Sequence, residues 1–138
     1  LIDQLRATAA ASGSAVRVIF VPPTSQIHDY FRAADVYVMP SIREGMPIAL
    51  LEAMACGLPC VASRLPGATD TMVEDGVNGR LVAPGDIAGF AAAMGDLLTD
   101  TVTASRMGAA ARRTVEGRYT MEHVAEQWLD TYQQLATR

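Results

Sequence analysis

Met39-Pro-Ser-Ile-Arg-Glu-Gly-Met-Pro-Ile-Ala-Leu-Leu-Glu-Ala-Met-Ala-Cys-Gly57 passes from an apolar run, through a loop containing one glycine, into the first turn of a helix. Val36–Met39, just ahead of the loop, is short, apolar and stopped by Pro40, as a buried strand is. Pro47–Cys56 reads as a helix, with proline in its first turn and Gly57 just past its end. A strand that leaves through a loop and returns as a helix is the repeating step of a parallel sheet.

The step recurs on both sides. Val16–Val21 is rich in β-branched residues and reads as a strand ended by Pro22-Pro23. Ser25 is placed to cap a helix over Ile27–Ala34 that buries Ile27, Tyr30, Phe31 and Ala34. Leu58–Ser63 is a third strand, Gly67–Val73 a short helix, Asp75–Gly79 a turn and Arg80–Val82 a fourth strand. Asp86 caps a helix to about Leu98 with Ile87, Phe90, Met94 and Leu97 on its apolar face. Helices over Ala104–Glu116 and Met121–Thr137 follow, Gly117 ending the first and Thr120 capping the second. Leu1–Ala11 reads as a helix with Ile2, Leu5 and Ala9 on one face.

The expected fold is therefore α/β: a doubly wound, Rossmann-like parallel sheet with helices on both faces and further helices at the C-terminal end. Ligands of such sheets bind outside the carboxyl ends of the strands, which selects Val21–Ser25, Met39–Pro47, Ser63–Thr69 and Pro84–Asp86.

The chain's 138 residues fit one domain, and 50% hydrophobic with 19% charged residues is the balance of a globular core. A net charge of -4 argues against a nucleic-acid partner, which needs a basic surface. No apolar run approaches the ~18 residues that span a bilayer. Cys56 and Cys60 are too few for a disulfide framework and read as free thiols, which points to a cytoplasmic protein. With His28 and His123 far away in sequence, no metal site is expected. Met39, Met46, Met54 and Met72 read as core fillers. A chain that opens at Leu1, inside a helix, is expected to be a fragment lacking the first part of its domain.

The helix beginning near Pro47 offers free amides and the positive end of its dipole, which suit phosphate. Glu44 lies in the loop before it, and Glu52 about a turn and a half inside. Glu52 stacks over Ile48 and Ala49 and leans toward the helix start. Carboxylates repel phosphates but accept two hydroxyl hydrogens from a diol. Amides for a diphosphate with flanking carboxylates for hydroxyls describe a nucleotide-sugar site. Taken singly, each glutamate also reads as an ordinary exposed charge.

The pattern as a whole resembles the family 4 glycosyltransferases: Glu44 and Glu52 in the EX7E spacing, Pro40-Ser41 before them, and Ala53-Met-Ala-Cys-Gly-Leu-Pro-Cys-Val-Ala-Ser63 after. The likeness extends to Ala33-Ala-Asp35, Pro66-Gly67, Asp75-Gly-Val-Asn-Gly79 and Pro84-Gly-Asp86. It implies a retaining enzyme of the two-domain GT-B fold, with residues 1–138 as its C-terminal, donor-binding domain. It further implies an NDP-sugar donor, no metal or other cofactor, an N-terminal acceptor domain of the same protein as partner, and an acceptor of unknown kind.

Under that resemblance Glu44 faces the donor sugar's hydroxyls and the charge of the transition state, and Glu52 takes the ribose diol. Gly45-Met46-Pro47-Ile48-Ala49 brings backbone amides to the diphosphate, and Pro22-Pro23-Thr24 presents main chain to the base. The sequence departs from the family's pattern at Val21-Pro22, where glycine is common, at Pro66-Gly67, where two glycines are usual, and at Asp70, where glutamate is usual. The family's basic pair on the diphosphate has no counterpart here, and Arg43 reads as either a partial substitute or a solvated arginine. Rival readings are a GT-B-fold epimerase using the same pocket and a non-catalytic nucleotide-sugar-binding module. In the resembled fold the last helix crosses back to the other domain. The stripe Trp128, Leu129, Tyr132 and Leu135 therefore either packs on its own domain or faces outward, where it favours self-association. The full-length protein is expected in the cytoplasm, with peripheral membrane attachment open.

Overall fold

A computed structural model describes residues 2–13 and 17–137. Among the described residues ten elements follow one another: α1 (Ile2–Ala11), α2 (Ile27–Ala33), β1 (Tyr37–Met39), α3 (Ile48–Ala55), β2 (Cys60–Ser63), α4 (Thr69–Met72), β3 (Arg80–Val82), α5 (Ile87–Thr99), α6 (Thr101–Arg118) and α7 (Met121–Ala136).

The strands form a parallel sheet in the order β1-β2-β3, with Met39 opposite Ala62 and Ser63 opposite Val82. β2 lies in the middle and all four of its residues are buried, which its small apolar side chains permit. Because side chains alternate across a strand, Cys60 and Ala62 join Leu50, Met54 and Ala111 on one face, while Val61 joins Phe90, Ala93 and Leu97 on the other. Helices α3 and α6 thus cover one face and α5 the other, which is the doubly wound arrangement expected.

Three of the long helices close their own starts. Asp86, Asp100 and Thr120 accept the amides of Gly89, Thr103 and His123 at 2.9, 3.0 and 3.2 Å. Asn78 is the hub of the turn before β3. Its amide oxygen takes Glu74 N at 2.7 Å, and its nitrogen donates to Met72 O at 3.1 Å and to Thr114 Oγ1 on α6 at 2.9 Å. At the β3 side of the sheet, Asp75 accepts Leu81 N at 3.0 Å and pairs with Arg64 at 2.8 Å.

The structure corrects the sequence reading at several points. Residues 17–21 form no strand (Val16 lies outside the described residues), and Val18, Ile19 and Val21 stay exposed. A strand needs a neighbour to take its amides and carbonyls, and no strand among the described residues pairs with this segment. Helix α1 forms, helped by its alanines, yet none of its residues is buried, so Ile2, Leu5 and Ala9 do not make a core face. Leu1 lies outside the described residues.

Ser25 does not cap α2: Gln26 holds the cap position without a side-chain bond, its own amide donating to Thr24 Oγ1 at 3.0 Å. Only Phe31 of α2 is buried, and Tyr30 is exposed. Gly117 does not end α6, which runs on to Arg118 before Tyr119 closes it. The Tyr119 hydroxyl donates to Thr71 O at 3.0 Å, a tertiary contact that outweighs the glycine signal. Ile87 and Met46 are exposed rather than core, while Ala93 is buried on the α5 face.

Candidate functional site

The carboxyl end of β1 opens into the loop Pro40–Pro47, and α3 begins at Ile48. Pro47 holds the cap position of α3, without a side-chain bond, and no acidic residue stands in the first turn. The other long helices that follow the sheet are capped by their own Asp or Thr; this one has no side-chain acceptor at its start. Ile48 and Ala49 are exposed there, as are Gly45 and Met46 of the preceding turn.

Glu44 and Glu52 are both half-buried, so each keeps one side toward solvent and one toward the protein. Tyr37 at the start of β1 lies within reach of both charges. Its phenol is pushed above the ordinary value of 10.0, first by burial and then by its neighbours Cys60, Glu44 and Glu52. Glu44 lies in the loop ahead of α3 and Glu52 inside α3, and Tyr37 senses the charge of both. Tyr37 itself sits edge-on against Phe31, ring centroids 5.6 Å apart, which fixes its ring. Sequence reasoning passed over Tyr37 because a strand aromatic reads as core; its neighbours become visible only when β1 and α3 are placed together.

Pro23 stands elsewhere in the chain's surface, in an open, mainly apolar cavity of about 680 Å³ lined by Val21, Pro22, Thr24, Ile27 and Tyr30. A second hollow, of about 460 Å³, lies on the α5 face between Val38, Pro40, Ile42, Ile87, Phe90 and Met94. It touches the Pro40 loop but is almost wholly apolar, so it offers nothing to hold a diphosphate.

The other carboxyl-end segments are built as tight turns. Thr69 is fully buried and its hydroxyl donates to Ser63 O while accepting Leu65 N at 2.9 Å. Gly67, at φ +74°, donates its amide to Asp70 Oδ1 at 2.8 Å, so Asp70 in place of the family's glutamate closes its own turn. Ser63 Oγ is buried at the end of β2 with no hydrogen-bond partner among the described residues. Arg64 is committed to Asp75, which leaves the exposed Arg43 as the arginine of the Pro40–Pro47 loop. Among the described residues no three His, Cys, Asp or Glu side chains converge as a metal site.

A parallel sheet covered by helices on both faces, with an uncapped helix start after β1, is a Rossmann-like α/β half. The chain belongs to the glycosyl transferases group 1 family, whose family model matches residues 2–100. A D-inositol 3-phosphate glycosyltransferase of Xylanimonas cellulosilytica is 37% identical over 99% of the chain and 33% of its own length. A sucrose-phosphate synthase of Thermosynechococcus elongatus superposes with a TM-score of 0.88 at 31% identity, over 98% of this chain and 34% of that one. HepE of Anabaena, in complex with UDP, gives 0.91 at 26% identity over 96% of this chain and 36% of that one, and has also been solved with UDP-glucose. The chain thus spans about a third of the length of these proteins.

Proposed function

We propose that this chain is the donor-binding half of a retaining glycosyltransferase of family 4, taking a nucleotide-sugar at the carboxyl end of its sheet. The observation that supports the reading is the uncapped start of α3, with Glu44 in the loop before it and Glu52 in the helix after it. The amides of Gly45–Ala49 meet the diphosphate, where the helix dipole also favours negative charge. Glu52 accepts the two ribose hydroxyls. Glu44 faces the sugar and stabilises positive charge as the bond to the diphosphate breaks. The base rests against main chain at Pro22-Pro23-Thr24, in the cavity those residues line.

Catalysis in the whole protein is positioning plus electrostatic stabilisation of the departing diphosphate. It needs no metal held by this chain. The acceptor enters from an N-terminal domain of the same, cytoplasmic polypeptide, and the chain alone binds donor weakly without turnover.

Titration calorimetry of the 138-residue chain with UDP, GDP and ADP tests the binding step. UDP comes first, because HepE is solved with it. Saturable binding of at least one of the three, weakened in Glu52→Ala, is expected. Absence of saturation with all three at millimolar concentration would remove the donor-site assignment.

A further inference from the structure

We propose that the base subsite of this chain selects guanine, so that its donor is a GDP-sugar; the inference rests on the donor-site reading above. The segment assigned to the base is Val21-Pro22-Pro23-Thr24, which lines the open cavity of about 680 Å³ together with Ile27 and Tyr30. Proline has no backbone N–H. From Val21 to Pro23 the main chain therefore offers three carbonyls in a row, and the next amide is that of Thr24. All four residues are exposed, and among the described residues no backbone amide donates to any of these carbonyls. The Thr24 hydroxyl oxygen is engaged at the start of α2, where it accepts Gln26 N at 3.0 Å.

Such a strip discriminates between bases by what their pairing edges carry. Guanine presents two donors side by side, N1–H and its 2-amino group, and carbonyls meet both. Adenine presents one amino group beside the acceptor N1. Uracil presents a single N–H between two carbonyl oxygens. A residue with both its N–H and its C=O pairs with an N–H and a neighbouring oxygen of uracil together, whereas Pro22 and Pro23 supply the C=O alone. The uracil oxygens then lose water without gaining a donor and stand against oxygens of the chain. Rejection by polar groups left unpaired is the strong form of specificity.

The apolar walls do not reverse this order. Val21, Ile27 and the half-exposed ring of Tyr30 offer surface to the flat faces of any base. Stacking favours a two-ring base over uracil, but it is indifferent to the groups on the edge. Guanine and adenine are therefore told apart by the carbonyl strip. HepE is solved with UDP, so the preference sets this chain apart from that relative.

Titration calorimetry of the 138-residue chain with GDP, inosine diphosphate, ADP and UDP tests the inference. All four share ribose and diphosphate, so those contacts cancel in the ratios of Kd, and inosine diphosphate is GDP without the 2-amino group. With one net hydrogen bond worth roughly fivefold, GDP should bind about fivefold more tightly than inosine diphosphate and about tenfold more tightly than ADP or UDP. Pro22→Ala/Pro23→Ala restores two N–H groups on an exposed segment and should narrow the GDP-to-UDP ratio at unchanged far-ultraviolet circular dichroism. If that variant loses structure, the wild-type series decides alone. UDP, ADP or inosine diphosphate binding as tightly as GDP would overturn guanine selection and leave the donor site standing. An unchanged ratio in the folded variant would overturn it too, because the prolines would then have no part in the choice. Should none of the four saturate at millimolar concentration, the donor-site reading falls and this inference with it.

Discussion

Gly108 of α6 lies directly against the carbonyl of Gly57 at the end of α3, so closely that a Cβ on Gly108 would collide with that oxygen. The same Cβ would stand 3.3 Å from the Pro59 nitrogen, and these are backbone atoms with no side chain to swing aside. The absent side chain is what lets α6 settle over the segment that joins α3 to β2. It therefore helps hold the helix whose start forms the candidate site.

This contact sets two opposing effects against each other. Alanine is favoured over glycine inside a helix by roughly 1 kcal/mol, whereas overpacking a tight contact costs about 1–3 kcal/mol. Gly108→Ala should therefore destabilise, by up to about 2 kcal/mol net of the two terms, because the atoms it meets are backbone. Gly95→Ala on α5, where nothing lies within 4 Å, should instead stabilise by about 0.5–1 kcal/mol. Urea denaturation of both variants checks the sign. Stabilisation by Gly108→Ala would show that the helices have room to part.

The two glutamates should separate kinetically in the whole protein. If Glu52 takes the ribose as proposed, Glu52→Ala should raise the donor KM roughly 10–100-fold, the worth of about 1.5–3 kcal/mol for hydrogen bonds to a charged group. If Glu44 acts mainly in the transition state as proposed, Glu44→Ala should lower kcat about 10²–10³-fold. Steady-state kinetics read both. Wild-type kcat in Glu44→Ala would leave that residue with no catalytic part.

Asp100 links acid stability to the α6 cap. Its carboxyl is held below the ordinary value of 3.8, chiefly by the Thr103 amide it accepts. A folded-state value below the unfolded one means that the carboxylate stabilises the fold. The contribution is complete above the unfolded value near 3.8 and disappears as pH falls through the lower folded value. Thermal melts between pH 2 and 7 (an approximate span covering that window) should show a smaller acid-side loss in Asp100→Asn than in wild type. An identical pH profile in the two proteins would detach the cap from acid stability.

The two thiols should differ in reactivity. Burial pushes the Cys60 thiol up to about 12, and it donates to Leu58 O at 3.3 Å, while Cys56 is only half-buried. Because the thiolate is the reactive form, iodoacetamide at pH 8 should label Cys56 first and reach Cys60 only on unfolding. Both thiols fall in one tryptic peptide, Glu44–Arg64, so fragmentation within that peptide by tandem mass spectrometry separates the two. Equal labelling rates in the native protein would mean that β2 opens readily.

The periodicity of the sequence settled the elements that are locally self-sufficient. Arg80–Val82 was read to the residue, and the capped starts of α5 and α7 were read from Asp86 and Thr120, because capping and apolar spacing are short-range. The spacing of Glu44 and Glu52 about a loop-to-helix junction marked the candidate site for the same reason: everything it needs lies within nineteen residues, Met39 to Gly57. What only the tertiary structure decided are the relations between distant segments. Val18, Ile19 and Val21 have strand character, but a strand exists only where a neighbour takes its hydrogen bonds, and none among the described residues does. The burial of Ala93, the hub at Asn78, the nearness of Tyr37 to both glutamates and the bare Cα of Gly108 follow from how α3, α5 and α6 pack on three short strands. Local patterns give each helix and strand its face; which atoms then touch across those faces depends on close packing between residues far apart in the chain.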